Sequence, residues 1–179
     1  KGVESIHAIM CVSLPENQEE IKESIDTFKA AIFGESLSYT LKGSKYNREG
    51  KTSGQLVGGN LTILHTMLGS NTSIDTSGKI LFIEEIGEYK YSIDRMLQSL
   101  KRAGYFNKVK AVIVGDMTKV KKNTTPWGSS IEQLILAVLP IDIPVLFNFP
   151  AGHEPDNRAL IMGRNIELNI KETTTVSFK

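Results

Sequence analysis

From Lys79 onward the sequence alternates between short apolar runs and amphipathic stretches: "KILFIE", "SIDRMLQSLKRAG", "VKAVIVGD", "SSIEQLILAVLP" and "IPVLFNF". A continuous apolar run has no polar side to offer water, so as a strand it must be covered on both faces. The intervening stretches have helical spacing. Strand, helix and strand in that order give parallel neighbours joined by crossover helices. This feature restricts the second half of the chain to a parallel sheet with helices packed on it.

The first half is patterned differently. Val3 to Val12 reads as a strand. In "SLPENQEEIKESIDTFKAAIFG", Ser13 and Glu16 have capping-box spacing, Ile21, Ile25, Phe28 and Ile32 share a helical face, and Gly34 supplies the stop. Ser36 to Val57 breaks into alternating pieces, "SLSYTL" and "SGQLVGG", around the polar "KGSKYNREGKT", which predicts antiparallel strands. In "GGNLTILHTMLGS" two glycines make a turn, Asn60 caps a helix with Leu61, Leu64 and Leu68 on one face, and Gly69 closes it. "NIELNI" and "TTVSF" end the chain as a hairpin. The expectation is one α/β domain over residues 1–179, with a parallel core sheet and an additional antiparallel element.

Composition excludes several classes. With 21 basic and 20 acidic residues the formal charge is +1, which gives no electrostatic footprint for nucleic acid or an anionic membrane. No apolar run approaches the roughly 20 residues of a membrane span, and the start lacks a signal peptide's charged-then-apolar pattern. The single cysteine, Cys11, can form neither an internal disulfide nor a cysteine zinc site; it reads as a buried structural thiol and fits a reducing, cytoplasmic compartment. The chain opens on Lys1 and enters a strand at once, which reads as a piece of a longer protein.

Ligand sites of open α/β sheets gather at the carboxyl ends of the parallel strands. Three such ends carry polar residues here: Glu84 and Glu85 after "KILFI", Gly115 and Asp116 after "AVIV", and His153 in "PAGHEPDN". A carboxylate bonded to one imidazole nitrogen fixes the tautomer and stabilises the protonated ring, which is what a general base beside a serine needs. The structural alternative is a surface histidine in a turn and an acid capping the next helix.

The nucleophile has no signature. No serine stands in a G-x-S-x-G elbow, and Ser70, Ser129 and Ser130 fall at helix ends where capping accounts for them. His7 lies in a strand and His65 in a helix, neither with a second ligand at i+4, so no metal is expected. "GGNLT" lacks the lysine of a phosphate-binding loop and the dinucleotide fingerprint, and no nucleotide or flavin cofactor is expected. Glu88 and Tyr91, between strand and helix, are placed to meet substrate or a neighbouring domain. Asp94 and Arg95 open that helix, where the dipole accounts for Asp94. Asn60 caps or lines a pocket, and Asp116 does either.

Taken together, "GGNLTILHTMLGS", "LFIEEIGEYKYSIDRMLQSLKRAGYFNKVKAVIVGD" and "NFPAGHEPDNRALIMG" resemble, in order and separation, three segments of the LD-carboxypeptidases and the related microcin-immunity serine peptidases. The resemblance covers residues 54 to 170. It is looser at the start, where His7, Ala8, Ile9 and Met10 stand for the family's His-Gly-Pro-Met.

The resemblance implies a three-layer, swivelling β/β/α domain. It also implies a cytoplasmic serine carboxypeptidase of peptidoglycan recycling, which cleaves the bond before the C-terminal D-amino acid of a murein tetrapeptide. By position the triad acid falls on Glu84 and the histidine on His153. Glu85 takes the place usually held by aspartate and is the alternative acid. Asn60, Glu88 and Tyr91 are candidate substrate contacts by their places near the strand ends, not by the resemblance. The serine and the oxyanion hole belong in this family to an N-terminal domain preceding the His-Gly-Pro segment. The chain thus corresponds to the C-terminal domain alone, inactive by itself, with that N-terminal domain as its partner and a homodimer as the family's common state. The microcin-immunity branch implies peptide- or aminoacyl-nucleotide substrates instead, with Trp127 of "TTPWGSS" as a lid or domain-contact residue. A non-catalytic binding domain is the third reading.

Overall fold

The computed structural model describes residues 2–10, 18–122, 124–125 and 128–179. Cys11, the Ser13 and Glu16 capping pair and Trp127 lie outside them.

The chain runs β1 (Ser5–His7), a 3-10 turn (Gln18–Ile21), α1 (Lys22–Phe33), β2 (Ser38–Lys42), β3 (Gly50–Asn60), α2 (Leu61–Thr66), β4 (Ile80–Ile86), α3 (Lys90–Arg102), β5 (Ala111–Thr118), α4 (Ile131–Val138), β6 (Val145–Leu146), β7 (Leu160–Met162), β8 (Asn165–Ile170) and β9 (Thr173–Phe178). The main sheet has the order β2-β9-β8-β3-β4-β5-β6, and β1 pairs with β7 apart from it. β3, β4, β5 and β6 are parallel, while β3–β8, β8–β9 and β9–β2 are antiparallel.

β3 joins the two halves. Its first part, Gly50 to Gln55, pairs with β8, and its second, Leu56 to Asn60, pairs with β4. Glycine at position 58 permits this: its φ is +131°, and a Cβ there would stand 1.9 Å from the carbonyl oxygen of Phe82.

The apolar runs are buried on both faces. Ile80, Phe82 and Ile113 pack with residues of the antiparallel strands (Ile166, Leu168, Val176) and with Phe149 and Leu160. Leu81, Ile83, Val112 and Val114 pack with Leu61, Ile93, Leu97 and Ile135 of α2, α3 and α4. The antiparallel strands therefore cover one face of the parallel sheet and three helices the other, an α/β fold in β/β/α layers. Each buried Leu, Ile or Phe on these strands contributes about 1.5–3 kcal/mol relative to exposure.

Several elements differ from their sequence patterns. The first strand is confined to Ser5–His7, because β7 offers it a partner only from Leu160 to Met162. The final strand run, "IPVLFNF", yields only Val145–Leu146, and Asn148 then takes a left-handed φ of 61° that ends the ladder. α3 begins at Lys90, ahead of the expected start after Tyr91. On α1, Ile32 is 52% exposed, and Ser24 is buried with Ile21 and Ala31 instead. Gly58 and Gly59 lie within β3 and not in a turn. β7, in "RALIMG", had no alternation to reveal it. Among the described residues no helix is long and apolar enough to cross a membrane.

Candidate active site

The two acids that end β4 part company because successive side chains on a strand point to opposite faces. Glu84 follows Ile80 and Phe82 onto the face covered by the antiparallel strands, and Glu85 follows Leu81 and Ile83 onto the helix face. There Glu85 meets the start of α2. Its Oε2 accepts from the Thr62 amide at 2.8 Å and the Thr62 hydroxyl at 2.7 Å, and its Oε1 from Asn60 Nδ2 at 3.1 Å and the Ile86 amide at 2.9 Å. Asn60 completes the cap, its Oδ1 accepting from the Ile63 amide at 3.1 Å. Glu85 is thereby bound into the fold, and the side chain of Asn60 serves the same helix end.

Glu84 meets His153. Oε2 of Glu84 lies 2.9 Å from Nδ1 of His153, the acid side chain 2% exposed and the histidine 34%. A carboxylate at Nδ1 selects the tautomer with its proton there, leaving Nε2 as the nitrogen able to take up a proton. Burial raises the pKa of Glu84, opposed by the charge and hydrogen bond of His153 and by the Asn60 amide; the charge of Glu85 adds to the rise.

The loop carrying His153 is held from several sides. The Gly152 amide donates to Asn157 Oδ1 at 3.1 Å, and the Arg158 amide to the Pro150 carbonyl at 2.8 Å, which closes the loop on itself. α1 then grips its far end: the Asn157 amide donates to Ser24 Oγ at 2.7 Å, Ser24 Oγ donates to the Pro155 carbonyl at 3.1 Å, and the Ala159 amide donates to Thr27 Oγ1 at 3.1 Å. Ser24 is a residue that sequence reasoning missed. A polar position on an otherwise apolar helical stripe is its one signal.

A cleft of about 590 Å³ opens beside His153, lined also by His7, Met10, Lys119, Pro155 and Asn157. His7 packs edge-on against Phe82, with centroids 5.1 Å apart at 71°, and burial followed by the proximity of His153 lowers its pKa. Both effects disfavour its charged form, and its buried Nδ1 has no hydrogen-bond partner among the described residues. His65 sits in the last turn of α2.

Glu88 and Tyr91 stand on the rim of the β4 and β5 ends. The Glu88 carbonyl accepts the Lys121 amide at 2.9 Å. Tyr91 stacks on Tyr89 at 5.5 Å, with Arg95 over one ring and Lys121 over the other. Neither Glu88 nor Tyr91 lines the cleft beside His153. Asp94 accepts a long bond from Gln98. Ser130 caps α4 in a reciprocal box with Gln133, and Ser70 bonds to the Met67 carbonyl and to Thr72. Among the described residues no group of His, Cys, Asp and Glu could hold a metal ion, and no hydroxyl or thiol bonds to the second nitrogen of His153.

At the carboxyl edge of the parallel sheet a buried carboxylate thus holds an imidazole by one nitrogen, an arrangement that fixes the ring's tautomer and favours its protonated form. The chain belongs to the LD-carboxypeptidase family: the family's C-terminal domain matches residues 53–168. It is 38% identical over 128 residues to a probable murein peptide carboxypeptidase of Bacillus subtilis, covering 71% of this chain and 40% of that protein. The solved muramoyltetrapeptide carboxypeptidase of Oxalobacter formigenes superimposes with a TM-score of 0.84 at 28% identity, over 99% of this chain and 61% of that one. The microcin C7 self-immunity protein MccF of Escherichia coli is 33% identical over 167 residues, 90% of this chain and 46% of that protein. The chain thus spans less than two thirds of each of these relatives, from 40% to 61% of their length.

Proposed function

We propose that these residues are the acid and base portion of a serine carboxypeptidase, which removes the C-terminal D-amino acid from murein tetrapeptides during cytoplasmic peptidoglycan recycling. The observation that carries this reading is the 2.9 Å contact between Glu84 and His153, on a cleft at the sheet edge. Glu84, rather than Glu85, is the triad acid, because Glu85 has its oxygens engaged by α2 and β4.

In this mechanism a serine from protein outside these 179 residues stands at Nε2 of His153. Nε2 takes the hydroxyl proton as the oxygen attacks the scissile carbonyl, and Glu84 stabilises the imidazolium that forms. The same proton then passes to the leaving amine of the D-amino acid. Water repeats the sequence on the acyl-enzyme, again with Nε2 as base.

The test uses a protein of the relatives' full length that includes this chain, incubated with a muramoyl tetrapeptide, with release of D-alanine measured. Release that disappears in His153→Ala supports the reading. Hydrolysis of an aminoacyl-nucleotide amide with no release from the tetrapeptide would instead place the protein with the microcin-immunity branch, and cleavage of neither would leave a binding domain.

A further inference from the structure

We propose that Asp116 is a positioning residue for His153, acting through a bulge in β5 that joins the strand of the acid to the loop of the base. The parallel ladder between β4 and β5 pairs Ile83 with Val114 and then Glu85 with Met117. One residue of β4, Glu84, thus stands opposite two of β5, Gly115 and Asp116. Such a bulge frees the extra residue from the ladder and turns its polar groups to another partner.

That partner is the loop of His153. The Asp116 amide donates to the Ala151 carbonyl at 2.9 Å, and Asp116 Oδ2 accepts from the Glu154 amide at 3.2 Å. These two bonds bracket His153, one ending two residues before it and the other one residue after. Two glycines allow the approach. A Cβ at Gly115 would stand 2.2 Å from the Ala151 carbonyl oxygen, and one at Gly152 would stand 2.8 Å from Cβ of Asp116. Gly152 also has a φ of +149°, which L side chains rarely adopt. Phe149 extends the seam, its amide donating to the Val114 carbonyl at 3.0 Å.

The consequence is geometric. Glu84 is fixed by β4; α1 holds the far end of the His153 loop through Ser24 and Thr27, and the part that carries the ring, from Ala151 to Glu154, is tied to β5 through Asp116 and through the contact of the Thr118 hydroxyl with the Glu154 carboxylate. A displacement of about 1 Å between Glu84 and His153 costs on the order of 10²-fold in rate. The side chain of Asp116 makes its tie by accepting a backbone N–H, a task that requires an acceptor at this reach and not a negative charge. Asparagine should therefore substitute for it and alanine should not. The geometric statement stands on the structure, and its catalytic meaning rests on the function proposed above.

The test is read in the resting protein, independently of hydrolysis. With the histidines labelled with ¹⁵N, the Nδ1 proton of His153 bonded to Glu84 gives a downfield, slowly exchanging resonance. In Asp116→Asn it is expected to persist, and in Asp116→Ala to be lost while the amide spectrum stays dispersed. Gly152→Ala, which drives a methyl group into Asp116 from the loop side, is expected to cause the same loss and serves if Asp116→Ala does not fold. Persistence of the resonance in folded Asp116→Ala or folded Gly152→Ala, or its loss in folded Asp116→Asn, would overturn the proposal. A tetrapeptide assay that fails while these spectra behave as expected would count against the proposed function and leave the positioning role intact.

Discussion

Nδ1 of His153 lies 2.9 Å from Oε2 of Glu84, across 69 positions of sequence, and the carboxylate is almost wholly withdrawn from water. The first prediction follows from what a carboxylate does there. Glu84→Gln keeps an acceptor for Nδ1–H but loses the charge that stabilises the imidazolium and holds the tautomer. Under the proposed function, kcat of a protein of the relatives' full length is expected to fall roughly 10³- to 10⁴-fold with KM little changed. Steady-state release of D-alanine checks it, and a variant within tenfold of the parent would remove Glu84 from the triad.

The same substitution should stabilise the fold at neutral pH. Burial raises the folded pKa of Glu84 above its unfolded value. Below about pH 4 the carboxyl is protonated in both states, and its burial carries no charge penalty. As pH rises through the raised folded value the ionised form is disfavoured in the folded state, and stability is lost. Glu84→Gln escapes that loss. It is expected to match the parent near pH 4 and to exceed it by about 1 kcal/mol near pH 8, a size usual for relieving a functional residue. Urea melts at the two values decide it, and a variant less stable at pH 8 would show that the bond to His153 outweighs burial.

Glu85 should behave in the opposite way. Its carboxylate receives the Thr62 amide and hydroxyl, the Asn60 amide group and the Ile86 amide, and it is itself buried. Glu85→Ala takes the acceptor from the Thr62 amide in the first turn of α2, where backbone amides have no helical partner, and from the Asn60 side chain at its cap. A loss of about 2–4 kcal/mol is expected, measured by urea denaturation at neutral pH. A loss under about 0.5 kcal/mol would mean that water replaces the carboxylate at no cost.

The contrast between these neighbours marks how far the sequence could be read. The apolar runs announced the parallel sheet, since a strand without alternation must be covered twice. Asn60 announced its cap, because that bond closes within three residues. The alternation of faces also implied that Glu84 and Glu85 point apart. Which of them faces the helices depends on how β4 is seated between two layers, and no local pattern encodes that. His153 is held to α1 through Ser24, 133 positions from the Asn157 amide it accepts, so its place is a property of the folded chain. The role of Asp116 was equally hidden, because a bulge is a register event between two strands. The family resemblance supplied the Glu84 and His153 pairing that spacing left open, and the structure supplied the distance.

The glycine pair of β3 gives a last prediction, in which two adjacent residues of the same type fail for different reasons. Gly58 and Gly59 both have positive φ, +131° and +143°, so alanine at either meets backbone strain of about 1–3 kcal/mol. At Gly59 no atom stands within 4 Å of the added methyl group, and strain is the whole cost. At Gly58 the methyl group would stand 1.9 Å from the Phe82 carbonyl oxygen, and backbone cannot turn aside as a side-chain tip can. Phe82 lies two residues before Glu84 on the same strand, so the displacement is carried toward the acid. Gly59→Ala is expected to lose about 1–3 kcal/mol and keep the downfield His153 proton. Gly58→Ala should lose at least about 2 kcal/mol more and weaken that signal in whatever fraction remains folded. Equal losses in the two variants would mean that β3 does not press on β4 at this point, and that the approach of Gly58 to Phe82 has no part in setting the end of the strand where Glu84 stands.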